Sequence, residues 1–194
     1  MLSKSLLTIA LLFTLTLTAF SNDRTEGYKA GDQISDFVIA NYDGNKYSIA
    51  ENGAKATVII FVSTECPFVQ PYTERLINLQ KEFGEKGITI WAINSNKTEP
   101  TEEVKNHAQE KQYNFPVLKD ENSVVALQFG AARTPEVFFI DNNTMTVLYH
   151  GRIDDNKEAS KVTSNDLQNA INDFLAGNVI ATSETKAFGC SIKK

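Results

Sequence analysis

Ala56-Thr57-Val58-Ile59-Ile60-Phe61-Val62-Ser63-Thr64-Glu65-Cys66-Pro67-Phe68 is the stretch on which the fold of this chain turns. Its first seven residues are apolar except Thr57, as a strand covered on both faces requires. The run stops at Ser63, and a proline follows Cys66 directly. From Pro67 onward Phe68, Tyr72, Leu76, Leu79 and Phe83 share one helical face, and Gly84 is placed to end it. Pro67 suits a first helical turn and Pro71 predicts a kink. The expectation is a central strand, a cysteine at the junction, and a helix that starts at Pro67. A thiol there meets unpaired helix N–H groups, which favour thiolate over thiol and make Cys66 a candidate redox nucleophile. An adjacent Glu65 opposes that charge unless it faces solvent, as expected here. The other role open to Cys66 is a small buried cap.

Toward the C-terminus, Ile88–Ile93 reads as the next strand, and Thr98 or Thr101 is placed to cap a helix running through Val104 and Ala108 toward Tyr113. Intervening helices imply parallel strands. Phe115-Pro116-Val117-Leu118 reads as a short edge strand, and Val124–Phe129 as a small helix that stops at Gly130. The pattern then changes. Val137–Ile140 and Thr146–His150 surround Asp141-Asn142-Asn143-Thr144, an antiparallel hairpin. Leu167, Ala170, Ile171, Phe174 and Leu175 mark a last helix ending at Gly177. His107 and His150 read as structural, and Asp154-Asp155 as a turn or helix entry.

Toward the N-terminus, Phe37–Ala40 and Lys46–Ile49 flank Asp43-Gly44, a hairpin signal because that turn needs positive φ. Leu6–Phe20 carries no charge and precedes Ser21-Asn22-Asp23-Arg24, a secretory layout that predicts a signal peptide over 1–21. That run is shorter than a spanning helix needs, so no mature membrane anchor is predicted. Residues 22–30 read as a lead-in, 31–178 as one domain, and 179–194 as a mobile tail. The chain has 19 basic and 24 acidic residues. Loss of Lys4 with the signal leaves 18 against 24, and an acidic chain without a basic run offers no footprint for nucleic acid. Two scattered histidines and two distant cysteines give no metal-ligand spacing, and no cofactor is expected.

The strand–Cys–Pro–helix order, Thr134-Pro135 before the later hairpin, and the final helix together resemble the thioredoxin-like superfamily. Within it, Gly31 to Asp36-Phe37, the Asp43-Gly44 hairpin and Cys66-Pro67 resemble the alkyl hydroperoxide reductase/thiol-specific antioxidant (redoxin) family. Gly151-Arg152-Ile153-Asp154-Asp155 and Phe188-Gly189-Cys190-Ser191-Ile192-Lys193 resemble a peroxiredoxin-like branch of it. The resemblance implies an α/β thioredoxin-like fold, a central mixed β-sheet flanked by helices, with an N-terminal β-hairpin and an inserted helix. It also implies that Cys66 attacks, that Pro135 is a cis proline facing it, and that Arg133 holds thiolate and peroxide. Ser63 stands where peroxiredoxins place a threonine, three residues before the cysteine, with Thr64 one further on, and a serine hydroxyl there is able to orient a peroxide; Thr134, Pro135 and Pro67 are expected to line the substrate groove. Position 69, where a thioredoxin has its second cysteine, is valine, and Ile59 stands where peroxiredoxins carry an upstream proline.

Three roles are open to Cys190. It can resolve an oxidised Cys66, clip the tail to the domain, or stay unpaired. A permanent clip closing so long a loop contributes roughly 4–5 kcal/mol in the chain-entropy view. The leading expectation is a thiol oxidoreductase of peroxiredoxin-like antioxidant type, acting on hydroperoxides or disulfides in a periplasm or outside the cell. An external thiol reductant, such as a thioredoxin-like protein, would regenerate it. The alternatives are an exported thiol–disulfide exchange or cytochrome-maturation helper, and a non-catalytic binding module.

Overall fold

The computed structural model of the protein describes residues 27–194. The signal segment at 1–21 and most of the lead-in lie outside the described residues. The domain is built on a five-stranded mixed sheet of β3 (Ala56–Val62), β4 (Ile88–Asn94), β5 (Val117–Lys119), β7 (Glu136–Asp141) and β8 (Thr146–Gly151), in the order β5-β4-β3-β7-β8. β3 is central. It runs parallel to β4, with Ala56 opposite Ile88 and Val62 opposite Asn94, and antiparallel to β7. β5 is the parallel edge strand and the β7–β8 hairpin closes the other side. A two-stranded hairpin, β1 (Ile39–Ala40) and β2 (Lys46–Tyr47), precedes the sheet, with Gly44 at φ +83° in its turn.

Successive strand side chains point to opposite faces, so the apolar run of β3 feeds two cores. Val58 and Ile60 pack with Leu76 and Phe83 of α1 (Thr73–Phe83) and with Leu167 and Ile171 of α4 (Asp166–Leu175). Ile59 and Phe61 face the other way, toward Trp91, Phe138 and Phe129 of α3 (Val124–Phe129). Phe129 meets Tyr28 and Phe138 edge-on at 5.2 and 5.1 Å, the arrangement ring quadrupoles prefer. Tyr28 is buried, and its N–H donates to the Phe129 carbonyl at 3.0 Å, so packing begins before the predicted start at Gly31. A Cβ on Gly130, which ends α3 at φ +70°, would lie 2.2 Å from the Cα of Gly27.

Three local expectations are corrected. The chain does not enter a helix at Pro67: residues 67–69 form a turn, Gln70–Tyr72 is one 3₁₀ turn, and α1 starts at Thr73. Pro71 is the physical reason, because it has no N–H for the Pro67 carbonyl and its ring crowds that carbonyl. Neither Thr98 nor Thr101 caps α2 (Thr101–Glu110). Pro100 occupies the cap position in extended conformation, and the Thr101 hydroxyl turns to Glu121. The tail is docked rather than mobile. Ser183 and Thr185 exchange backbone hydrogen bonds with His150, and β9 (Cys190–Ser191) pairs antiparallel with β6 (Arg133–Thr134).

Candidate redox site

The carboxyl ends of the parallel strands β3 and β4 deliver Ser63 and Asn94 side by side, the end of an open α/β sheet where ligand sites form. Ser63-Thr64-Glu65 leads from β3 to Cys66, which is 2 % exposed. The Cys66 carbonyl starts the following turn by accepting from Val69 N–H at 2.9 Å. Against Cys66 lies the 133–136 segment, where Thr134-Pro135 is a cis peptide, as the resemblance implied. The Thr134 carbonyl oxygen is 3.3 Å from Cys66 Sγ, where it would accept from a thiol.

Cys66 is joined to Cys190 in a disulfide, with Cα atoms 6.1 Å apart across a sequence separation of 124. β9 brings Cys190 there by pairing with Thr134, and Ile192 N–H continues the pairing to the Ala132 carbonyl at 3.1 Å. Gly189 makes this approach possible: a Cβ on it would stand 2.1 Å from the Thr134 carbonyl oxygen. Phe188 meets Phe68 edge-on at 6.4 Å. Cys190 is partly exposed while Cys66 is buried. The two residues therefore differ in exposure.

The remaining predicted residues are divided in placement. The Ser63 hydroxyl donates to Glu99 at 2.5 Å, and the Thr64 hydroxyl to the same carboxylate at 2.8 Å. The Arg133 guanidinium donates to the Ser191 hydroxyl at 3.0 Å, on the tail. Thr134 is buried beside Cys66 with its hydroxyl unpaired, and Pro67 is exposed in the turn. Glu65 is exposed, with Lys193 Nζ 3.6 Å away. With α1 beginning seven residues after Cys66, its macrodipole acts weakly there, since the effect fades within a turn.

Sequence reasoning missed two buried carboxylates that brace this arrangement. Glu99 also accepts from Thr64 N–H at 2.7 Å, Asn94 Nδ2 at 2.5 Å and Asn96 Nδ2 at 3.0 Å. Burial works to raise its pKa, but the hydrogen bonds from Ser63, Thr64 and Asn94 outweigh it, and the carboxyl lies below the usual range. Glu136 accepts from Ala132 N–H and Arg133 N–H, both at 2.8 Å, and faces His150 Nε2 at 2.9 Å. It too is held low against burial, by His150 and those amides. His150 lies flat on Phe138 with Nδ1 3.1 Å from Glu184 of the tail. Burial pushes the imidazole down, but Glu136 and then Glu184 raise it above 6.5. Asn94-Ser95-Asn96 ending an apolar strand was the one available signal for Glu99. Glu136 had none, being a lone acid beside a proline. A third unexpected node is Asp154, 3 % exposed, which accepts from Tyr72 Oη at 2.9 Å and from Arg75.

A parallel β-α-β unit, a cis proline facing a cysteine, and a β-hairpin followed by a helix define a thioredoxin-like fold carrying a thiol oxidoreductase site. The thioredoxin domain of a thiol-disulfide oxidoreductase from Bacteroides vulgatus superposes with TM-score 0.62 at 16 % identity, over 77 % of this chain and 99 % of that one. The chain belongs to the AhpC/TSA family, whose pattern matches residues 30–149. It is 26 % identical over 146 residues to the thiol-disulfide oxidoreductase ResA of Halalkalibacterium halodurans, covering 75 % of this chain and 81 % of that protein. It also resembles the crystal structure of the hypothetical protein SMc02350 from Sinorhizobium meliloti 1021, with TM-score 0.79 and 33 % identity over 87 % of this chain and 96 % of that one.

Proposed function

We propose that the protein is a thiol–disulfide exchange enzyme whose redox pair is Cys66 and Cys190. The observation that carries this reading is the Cys66–Cys190 disulfide itself, held at the cis-proline segment by β6–β9 pairing. That the H. halodurans relative is named a thiol-disulfide oxidoreductase supports the same class. The three side chains expected to handle a peroxide are engaged elsewhere, Ser63 and Thr64 with Glu99 and Arg133 with Ser191, which favours disulfide over hydroperoxide as substrate.

The difference in exposure sets the direction of the exchange. An external dithiol protein attacks with one thiolate at Cys190 Sγ, the sulfur of the more exposed residue. A bond forms between its sulfur and Cys190, the Cys66–Cys190 bond breaks, and Cys66 leaves as the thiolate. The second thiol of the reductant then attacks its own bonded sulfur and releases Cys190, so two electrons have passed and the reductant is a disulfide. Release of the Cys190 tail uncovers Cys66, which then attacks a substrate disulfide at one sulfur and expels the other as a thiolate. Cys190 then displaces the substrate sulfur, the pair re-forms, and the substrate is reduced. The secretory layout expected over 1–21 supports an oxidising compartment for this exchange, and no helix among the described residues is long and apolar enough to cross a membrane.

The test is turnover of a protein disulfide by purified protein with dithiothreitol, beside consumption of hydrogen peroxide under the same conditions. Disulfide turnover abolished by Cys66→Ser is the expected result. Peroxide turnover with no disulfide turnover would replace this reading with the peroxidase one, and neither activity would leave a binding module.

A further inference from the structure

We infer that Glu99 is a positioning residue for both redox cysteines at once, through one polar network that holds the Cys66 loop and the Cys190 tail in register. The inference rests on Cys66 and Cys190 being the exchanging pair. Glu99 is 2 % exposed and touches neither sulfur. On one side its two oxygens take Ser63 Oγ, Thr64 N–H and Thr64 Oγ1, which fixes the residues leading into Cys66. Ser63 Oγ passes the restraint on by accepting from Glu65 N–H at 3.2 Å. On the other side Glu99 takes the amide of Asn96. That leaves Asn96 Oδ1 facing the tail, where it accepts from Lys193 N–H at 2.8 Å. The Lys193 carbonyl in turn accepts from Lys97 N–H at 2.9 Å.

The orientation of the amides is set from both ends. Buried Lys119 Nζ donates to Asn94 Oδ1 at 3.2 Å and to the Asn96 carbonyl at 2.7 Å. Asn94 therefore stands between an ammonium and a carboxylate, with one arrangement available to its amide. A chain of five hydrogen-bonded groups, Glu65, Ser63, Glu99, Asn96 and Lys193, thus runs from the residue before Cys66 to the third residue beyond Cys190. Opening the disulfide frees the tail end of that chain while the Cys66 loop end keeps its carboxylate.

A residue that stabilises the oxidised and reduced forms equally cancels from the equilibrium between them. Only contacts that differ between the two forms survive in the constant. The experiment is to equilibrate the protein with mixtures of reduced and oxidised dithiothreitol, alkylate, and measure the disulfide fraction by mass spectrometry. In this reaction the protein disulfide becomes a dithiol as dithiothreitol becomes its cyclic disulfide. Glu99→Gln, which keeps the size but turns an acceptor into a donor, is expected to shift the constant about tenfold toward the dithiol, ~1.4 kcal/mol by the affinity scale. Asn96→Ala, which removes only the link to the tail, is expected to shift it about threefold or more, and the double variant less than the sum. Asn96→Ala carries the test if Glu99→Gln does not fold. A constant within twofold of wild type in every folded variant overturns the inference, whatever happens to thermal stability. Wild-type protein that equilibrates with dithiothreitol but turns over no protein disulfide would sink the exchange function and leave this inference to stand on its own constant.

Discussion

Glu99 braces the segment that leads into Cys66 and Glu136 the segment that leads to Thr134, and they do similar work with different partners. Each is buried, each holds backbone N–H groups of a loop that faces the sulfur, and each has its pKa lowered. Glu99 is answered by hydroxyls, amides and a backbone N–H, none of which titrates near neutrality. Glu136 is answered by two backbone N–H groups and a histidine. The difference teaches that one clamp weakens only in acid, whereas the other is bounded on both sides of neutrality.

The largest expected effect is on the feature both clamps serve. Cys190→Ser removes a closure spanning 124 residues and is expected to lower stability by about 4–5 kcal/mol, measured by denaturant unfolding of oxidised protein. Next comes the neutral-donor clamp. Glu99→Ala leaves Ser63 Oγ, Thr64 N–H and the Asn94 and Asn96 amides without this acceptor, while Thr64 Oγ1 keeps Glu103, and should cost about 3 kcal/mol or more by the same measurement. A loss below about 1 kcal/mol would mean that water replaces the carboxylate and the clamp is soft.

The titrating clamp gives the sharper contrast. A folded-state pKa above 6.5 means that His150 stabilises fully below 6.5, and that this contribution disappears as pH rises through its folded value. For Glu136 and Glu99 the sign is opposite: their contributions are present above 4.5 and are lost as pH falls through their lowered folded values. Hydrogen-exchange protection of Thr185 N–H, bound to the His150 carbonyl, should therefore fall on the alkaline side of 6.5 while that of Thr64 N–H stays constant. His150→Gln should flatten the first profile at a cost of about 1 kcal/mol. Equal alkaline losses at both amides would erase the distinction. The smallest effect is expected from Arg133→Ala, whose exposed bond to Ser191 should be worth under about 0.5 kcal/mol in unfolding.

The β3 run was legible because two covered faces demand an unbroken apolar strand, and Gly44, Gly130 and Gly177 were legible because each has the positive φ that favours glycine. The order of strands and helices followed from period and length. Pro71 announced a disturbance, but the distance from Cys66 to the true start of α1 depends on which carbonyl the ring crowds, which no periodicity reports. At the site, the cis proline came with the family resemblance, and both cysteines stood out by residue type. Glu99, Glu136 and Asp154 did not, because a buried acid looks like a surface acid until the donors that neutralise it are brought from elsewhere in the chain. His150 shows the same limit, since its two carboxylates sit 14 and 34 residues away.

The span between the two cysteines also orders events in time. Synthesis delivers Cys66 early, and Cys190 only after every strand of the main sheet has emerged. N-terminal segments are free to fold first. Until the tail arrives, Cys66 has no Cys190 to join and the β6 edge no β9 to pair with, and both are open to the wrong thiol or to a neighbouring strand. Fidelity of oxidation in this protein is a race between arrival of the tail and capture by a stranger, and Gly189, which lets the tail lie flat on Thr134, is one of the residues that decides it.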